Sequence, residues 1–322
     1  RVAAADVMEA LPLMQVSDHL TWIAEVVLAE ALEQAWQHML AKHGRPVCTS
    51  DGKVCDKGFA IIGYGKLGGI ELGYGSDLDM VFLHGGEDPN LMTQGDKPIA
   101  IPVFFARLGQ RLIHLLTAHT PAGVLYEADM RLRPDGASGM LVSNLSAFIK
   151  YQDEKAWLWE HQALVRARVV AGDPQIAERF VEIRKSILSK QRDKTTLRQE
   201  VREMREKMRK ELDKPPEGMY HLKQGQGGIV DIEFLVQYAV LAYSHEFPAL
   251  LEWTDNIRIL ETLGQQGLMS EEESQSLCDA YRSLRSRVHQ LALQEEKGVV
   301  DDAEYVVERE SVRQAWQKWL IA

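Results

Sequence analysis

Apolar positions recur at helical spacing from Arg1 to Gly44. Leu20, Ile23, Val26, Val27, Ala31, Leu32, Ala35 and Met39 lie on one side of a helix that Ser17 or Asp18 can cap. This is a packing element, and His43 at its end is expected to be solvated. After a linker, 45–58, with Pro46, Gly52, Cys48 and Cys55, the pattern changes. Phe59 to Ile62 is a short apolar run of buried-strand type. Asp77 to Leu83 reads as a second strand. Strand side chains alternate, so Leu78 and Met80 face a core while Asp77 and Asp79 share the other face. A polar loop, 85–98, precedes an amphipathic helix over 101–119, with Phe104, Phe105, Leu108, Leu112, Leu115 and Leu116 inward. Val124 to Arg133 reads as a third strand, with Leu125, Glu127, Asp129, Arg131 and Arg133 on one face and Ala128, Met130 and Leu132 on the other.

Beyond about residue 143 the pattern is helical. Trp157 to Val170 continues it, with Arg166 and Arg168 facing phosphates, a protein substrate or ion-pair partners. Glu160 and His161 are adjacent on a helix and so diverge, which excludes a metal pair. Asp173-Pro174 starts a further helix. The next, 196–212, carries Arg198, Arg202, Arg205 and Arg209 at i, i+4 spacing, a basic stripe expected to be solvated. Glycines from Lys223 to Gly228 lead into Asp231 and Glu233 at a helix start, where an anion can bind and where carboxylates also serve plain helix capping; the segment is kept as a substrate or nucleotide contact. Thr254 and Ser270 look like N-caps, Ser270 with Glu273 as a capping box. Trp316 and Trp319 are expected in the core.

Composition narrows the class. The 322 residues are 45% hydrophobic and 26% charged, ordinary for a globular chain. A net charge of -10 argues against a nucleic-acid partner. Three cysteines without C-x-x-C suggest neither a disulfide framework nor a zinc site, and a reducing cytoplasm fits. No apolar run approaches a membrane span, and no signal peptide is visible. The chain begins at Arg1 in mid-pattern and is read as a piece of a longer polypeptide.

The chemistry concentrates between Phe59 and His84. Gly63, Gly65, Gly68 and Gly69 can expose N–H groups to phosphate oxygens. Asp77 and Asp79 repel each other unless a cation intervenes, and hard oxygen ligands suit Mg²⁺. Gly63 to Gly68 matches G-x-G-x-x-G, but no crossover helix fits between it and the next strand, so the dinucleotide reading fails. No Walker ending is present either.

A glycine turn, a spacer and Asp-x-Asp on a strand resemble the nucleotidyltransferase superfamily related to DNA polymerase β. GYGKLGGIELGYGSDLDMVF, YEADMRLRPDGASG and WEHQALVRARVVAGD together resemble the glutamine synthetase adenylyltransferases, from about Pro12 to the end. Those enzymes carry two catalytic halves, one attaching AMP and one removing it. The wording here is more similar to the adenylylating, C-terminal half.

The resemblance implies an α+β fold. An N-terminal helical segment (1–44) precedes a nucleotidyltransferase domain (45–150) with a small mixed sheet, and an all-α bundle domain (151–322) follows. It implies transfer of AMP from ATP to a tyrosine hydroxyl of glutamine synthetase, with PII as regulator of the whole enzyme. Asp77, Asp79 and Asp129 would be catalytic and hold two Mg²⁺ ions. Asp129 would be the general base, or the ligand that makes one unnecessary. Gly65, Lys66, Gly68, Gly69, Ser76, Arg131 and Arg133 would bind the nucleotide. The residues also leave open phosphorolytic removal of AMP, a silent binding module and, for Asp129, a strand salt-bridge ladder.

Overall fold

The computed structural model describes residues 1–8, 10–49, 53–86 and 88–322; Gly52 of the linker lies outside them. Two helices, α1 (Val2–Val7) and α2 (Leu13–His43), open the chain. The sheet region follows as β1 (Arg45–Pro46), β2 (Phe59–Gly63), the one-turn α3 (Gly65–Gly68), β3 (Leu78–His84), β4 (Thr93–Gln94), α4 (Ile101–Thr117), β5 (Ala128–Asp129) and β6 (Val142–Asn144). Helices α5 (Leu145–Glu154) and α6 (Leu158–Val165) lead to β7 (Arg168–Gly172). The helical part comprises α7 (Pro174–Leu188), α8 (Lys194–Leu212), β8 (Met219–His221), α9 (Ile229–Tyr243), α10 (Asn256–Gln265), α11 (Glu271–Leu293), β9 (Val299–Asp301) and α12 (Val306–Trp316).

The fold is α+β, a small mixed sheet with packing helices and a helical part. Strand β3 is central. On one side β2 runs antiparallel to it, with Phe59 opposite His84 and Gly63 opposite Met80. Beyond β2 lies β7, also antiparallel. The other side of β3 is shared by two parallel strands, β5 at Asp79↔Asp129 and β6 at Phe82↔Val142.

Both faces of the sheet are buried, which is why β2 and the stretch of β3 from Met80 to Leu83 read as apolar runs. Phe59, Ile61, Leu78, Met80 and Phe82 pack with Ala24, Leu28 and Trp36 of α2 and Phe104 and Leu108 of α4. Ala60, Ile62, Val81 and Leu83 belong to the second core, which continues through the helical part. Asp79 alternates with Leu78 and Met80, so it stands on the face turned toward the helical part.

Several sequence expectations need correction. Helix α2 starts at Leu13 behind Pro12, and Ser17, expected as a cap, is inside it and buried. His43 is also buried, its Nδ1 2.9 Å from the Lys97 carbonyl oxygen. The third strand is only Ala128–Asp129. Arg133 N–H and Gly136 N–H turn back on the carbonyls of Met130 and Arg133, so the five-residue face never forms. Residues 168–172 form β7 rather than helix. The region after 150 thus supplies a sheet strand and, with β8 paired to β9, is not all-α. Arg205 of the expected solvated stripe is fully buried. Asp255, not Thr254, caps α10. Ser270 caps α11, while Glu273 turns to Lys318 and Trp319 instead of completing a box.

Cys48 and Cys55 are paired as a disulfide across a Cα–Cα distance of 5.4 Å, where the cysteine pattern suggested none. The cause is local: Cys48 N–H donates to Lys53 O and Cys55 N–H to Pro46 O, folding the linker back on itself.

Candidate active site

Three carboxylates converge at the start of β3. Asp77 lies just before the strand, Asp79 in it, and Asp129 is its register partner on β5. One oxygen from each lies within 4.8 Å of the others. The three are not equivalent. Burial, then the charges of Asp77 and Asp129, push the Asp79 carboxyl up to about 6. Asp129 is held below its ordinary value by Arg131, whose backbone N–H and Nε both donate to it at 2.8 Å. Asp77 makes no side-chain hydrogen bond among the described residues. A group of converging hard oxygens whose like charges repel one another fits a divalent cation.

The glycine loop approaches this cluster closely. Gly65 has φ +54, and a Cβ there would lie 2.4 Å from Asp79 Oδ2, so no larger residue fits without displacing the carboxylate. The N–H groups of Gly68 and Gly69, expected to face phosphate, are already bonded to the carbonyls of Tyr64 and Gly65 in the single turn of α3. The Gly68 carbonyl accepts from Arg168 Nε at 3.1 Å and Thr254 Oγ1 at 2.7 Å. These two glycines shape the turn and tie it to β7 and the helical part. Lys66 is the group the turn presents. Its Nζ donates to Ser76 Oγ at 3.4 Å, and burial and then Lys223 bring its pKa down to about 8. Ser76 Oγ in turn accepts from Gly73 N–H.

The two other predicted arginines are occupied. Arg131 is wrapped on Asp129, its side chain otherwise exposed. Arg133 donates to the carbonyls of Met130, Ala137 and Gly139 and so braces the loop at 136–139.

Behind the loop lies an ionic network that the sequence does not announce. Glu71, fully buried, accepts from Arg166, from Tyr281 Oη at 2.6 Å and from Asn256 N–H at 3.0 Å. Burial opposes its ionisation, but Arg166 and Arg285 outweigh that and hold it below its ordinary value. Arg166 also pairs with Glu233 at 2.7 Å, so it is an ion-pair residue, as is Arg168 with Glu25. Asp231 is likewise internal, accepting from Gly227 N–H and from Arg205 and Arg209. A lone glutamate in a glycine-rich spacer has no periodic signature, which explains why Glu71 escapes a reading by pattern.

A cavity of about 720 Å³ lies elsewhere. It lies at the opposite end of β3, beside His84, Val142, Asn144 and Tyr151. It holds no comparable cluster of like charges.

The model of the family Glutamate-ammonia ligase adenylyltransferase matches residues 1–183, and that of GlnD PII-uridylyltransferase matches 195–307. Three curated relatives carry the name bifunctional glutamine synthetase adenylyltransferase/adenylyl-removing enzyme. That of Thioalkalivibrio sulfidiphilus is 58% identical over 99% of this chain and 33% of its own length. That of Nitrosococcus oceani is 55% identical, and that of Pseudomonas aeruginosa 52%, with the same shares covered. The chain thus spans about a third of the length of these relatives.

Proposed function

The chain belongs to the glutamate-ammonia ligase adenylyltransferase family, and from that premise we propose that it transfers AMP from ATP to a tyrosine hydroxyl of glutamine synthetase, releasing pyrophosphate. The observation that carries the reading is the convergence of Asp77, Asp79 and Asp129 beside Lys66. The names of the relatives support the substrate and the reaction class. The Gly-Tyr-Gly-Lys and Gly-Ser-Asp-Leu-Asp wording supports the adenylylating half. The match of the helical part to a PII-uridylyltransferase supports PII as regulator of the longer enzyme. We place the reaction in the cytoplasm. Among the described residues no helix is long and apolar enough to cross a membrane.

Asp77, Asp79 and Asp129 would hold two magnesium ions, which when bound neutralise phosphate charge and lower the pKa of the attacking hydroxyl. The chain's own groups do the rest by position and charge. Lys66, still mostly protonated at pH 7, and Ser76 would steady the leaving pyrophosphate. Gly65 lets the loop close over Asp79. Arg131 keeps Asp129 a weak proton acceptor, which favours its role as ligand over that of base.

The test is ATP labelled at the α-phosphate, with Mg²⁺ and glutamine synthetase. Label is expected on a tyrosine of glutamine synthetase. No label, but phosphate-dependent release of ADP from pre-adenylylated glutamine synthetase, would assign the chain to the removing half instead.

A further inference from the structure

Basic side chains gather on the outer helical layer of the sheet, across it from Asp79. Helices α2 and α4 form that layer and meet through Trp36 and Phe104. Beside this contact, His38 and Lys42 stand at i, i+4 spacing on α2, and Arg107 and Arg111 stand at the same spacing on α4, so each pair shares one helix face. The two helices bring the pairs together. Partial desolvation, then the charges of Arg111, Lys42 and His43, hold His38 below its ordinary value. Arg107 is fixed in place by the buried His43. The Lys97 carbonyl can only accept, so His43 donates to it from Nδ1 at 2.9 Å, and His43 Nε2 accepts from Arg107 Nη1 at 3.3 Å.

None of His38, Lys42, Arg107 and Arg111 meets a carboxylate in an ion pair or hydrogen bond among the described residues. The Arg111 guanidinium has no partner at all there, and its Nε is buried. The glutamates of the preceding turns of α2 are engaged elsewhere. Glu30 accepts from Gln34 at 2.9 Å; Glu33 accepts from Gln37 at 2.8 Å and pairs with Lys57 at 2.7 Å. The chain has 47 acidic residues against 37 basic ones, so carboxylates are not scarce. Like charges at helical spacing destabilise a helix, so this cluster does not serve the fold. An apolar contact adjoins it: Val103, one turn before Arg107, is 42% exposed.

We propose that this face of α2 and α4 is a docking surface for an acidic polypeptide segment, whose carboxylates meet Lys42, Arg107 and Arg111 and whose apolar side chains cover Val103. Charge complementarity selects the partner. Nucleic acid is the other polyanion that could meet such a face. Against it stand the net charge of -10 and the form of the cluster, a compact patch with an apolar edge rather than a track along a phosphate backbone. Lying across the sheet from the carboxylate cluster, the surface can hold a partner whichever reaction that cluster performs.

Fluorescence anisotropy of the intact chain would use a labelled Glu-rich peptide, its Gln counterpart and a labelled single-stranded oligonucleotide, each in turn. The Glu peptide is expected to bind, more weakly as salt rises, and the Gln peptide is not. Lys42 and Arg107 are exposed, so the double variant Lys42→Gln, Arg107→Gln is expected to fold, with its melting temperature held or raised. We expect it to weaken Glu-peptide binding about 10-fold or more. Arg107→Lys should keep most of the affinity, and Lys207→Gln, an exposed lysine on α8, should change it by less than about two-fold. Failure of the Glu peptide to bind, equal affinity for the Gln peptide, or unchanged affinity in the double variant would overturn the proposal. So would binding by the unsubstituted chain that is indifferent to salt. An oligonucleotide held more tightly than the Glu peptide, and lost in the same double variant, would make the partner a nucleic acid instead.

Discussion

Two groups of charges lie on either side of the glycine loop and are built on opposite plans. At the head of β3, three carboxylates converge, and among the described residues only Asp129 of them is paired with a cation, Arg131. Behind the loop, one carboxylate, Glu71, is surrounded by Arg166, Arg285, Tyr281 and Asn256. The first group is left with unneutralised like charge; in the second the carboxylate oxygens are held by several donors at once. A buried ion pair complete in its hydrogen bonds is a structural part. A cluster in which burial and then neighbouring like charge raise the pKa of one member, Asp79, is poised for something that is not there in the chain itself. Residue type alone does not distinguish the two groups, since each joins carboxylate to arginine.

The contrast breaks most clearly by mutation. Asp79→Asn or Asp77→Asn is expected to lower AMP transfer by at least about 10³-fold while thermal stability holds or rises, because a repulsion is removed. Near-normal turnover in either variant would withdraw the metal assignment. Arg166→Met should do the reverse of this on stability. It strands Glu71 and Glu233, and a loss of about 3–5 kcal/mol is expected in urea unfolding. A loss below about 1 kcal/mol would show that the network is not the brace described. Lys66→Ala should weaken ATP binding by about 10-fold with the fold intact, and unchanged affinity would remove Lys66 from the site.

A further expected effect is acid sensitivity. Burial lowers the pKa of His84 to about 4 and, with Arg285 and Lys66, that of His289 to about 3. Both stay neutral in the folded chain, while the unfolded chain takes up protons below about 6.5. Stability is therefore full above that pH and declines as pH falls toward 4, by at most about 1.4 kcal/mol per pH unit for each histidine. Denaturation midpoints at pH 7 and pH 5 test this. A His84→Gln variant with an unaltered slope would exclude His84.

The parts of this arrangement that a sequence shows are those with a period. The alternation through Leu78, Asp79 and Met80 placed two carboxylates on one face, and Asp129 followed from a strand pattern, although that strand proved two residues long. The amphipathic 101–119 region and the Asp173-Pro174 start were legible for the same reason. The rest lacked local signals. Strand β7 is preceded by helix-like sequence and exists because β2 has a free edge. Arg205 reads as one of a solvated row, and its burial is explained by distant partners, Gln224 and Asp231, 19 and 26 residues on. Gly68 and Gly69 looked like phosphate cradles, but their amides close a turn.

The ladder between β3 and β5 is only two residue pairs long, Leu78 with Ala128 and Asp79 with Asp129. It joins segments 50 positions apart, so that closure is among the slow, non-local steps of folding. Divalent-ion affinity should then appear late in refolding, after helical circular dichroism has recovered. A bound ion would report completion of the whole sheet rather than of any one element.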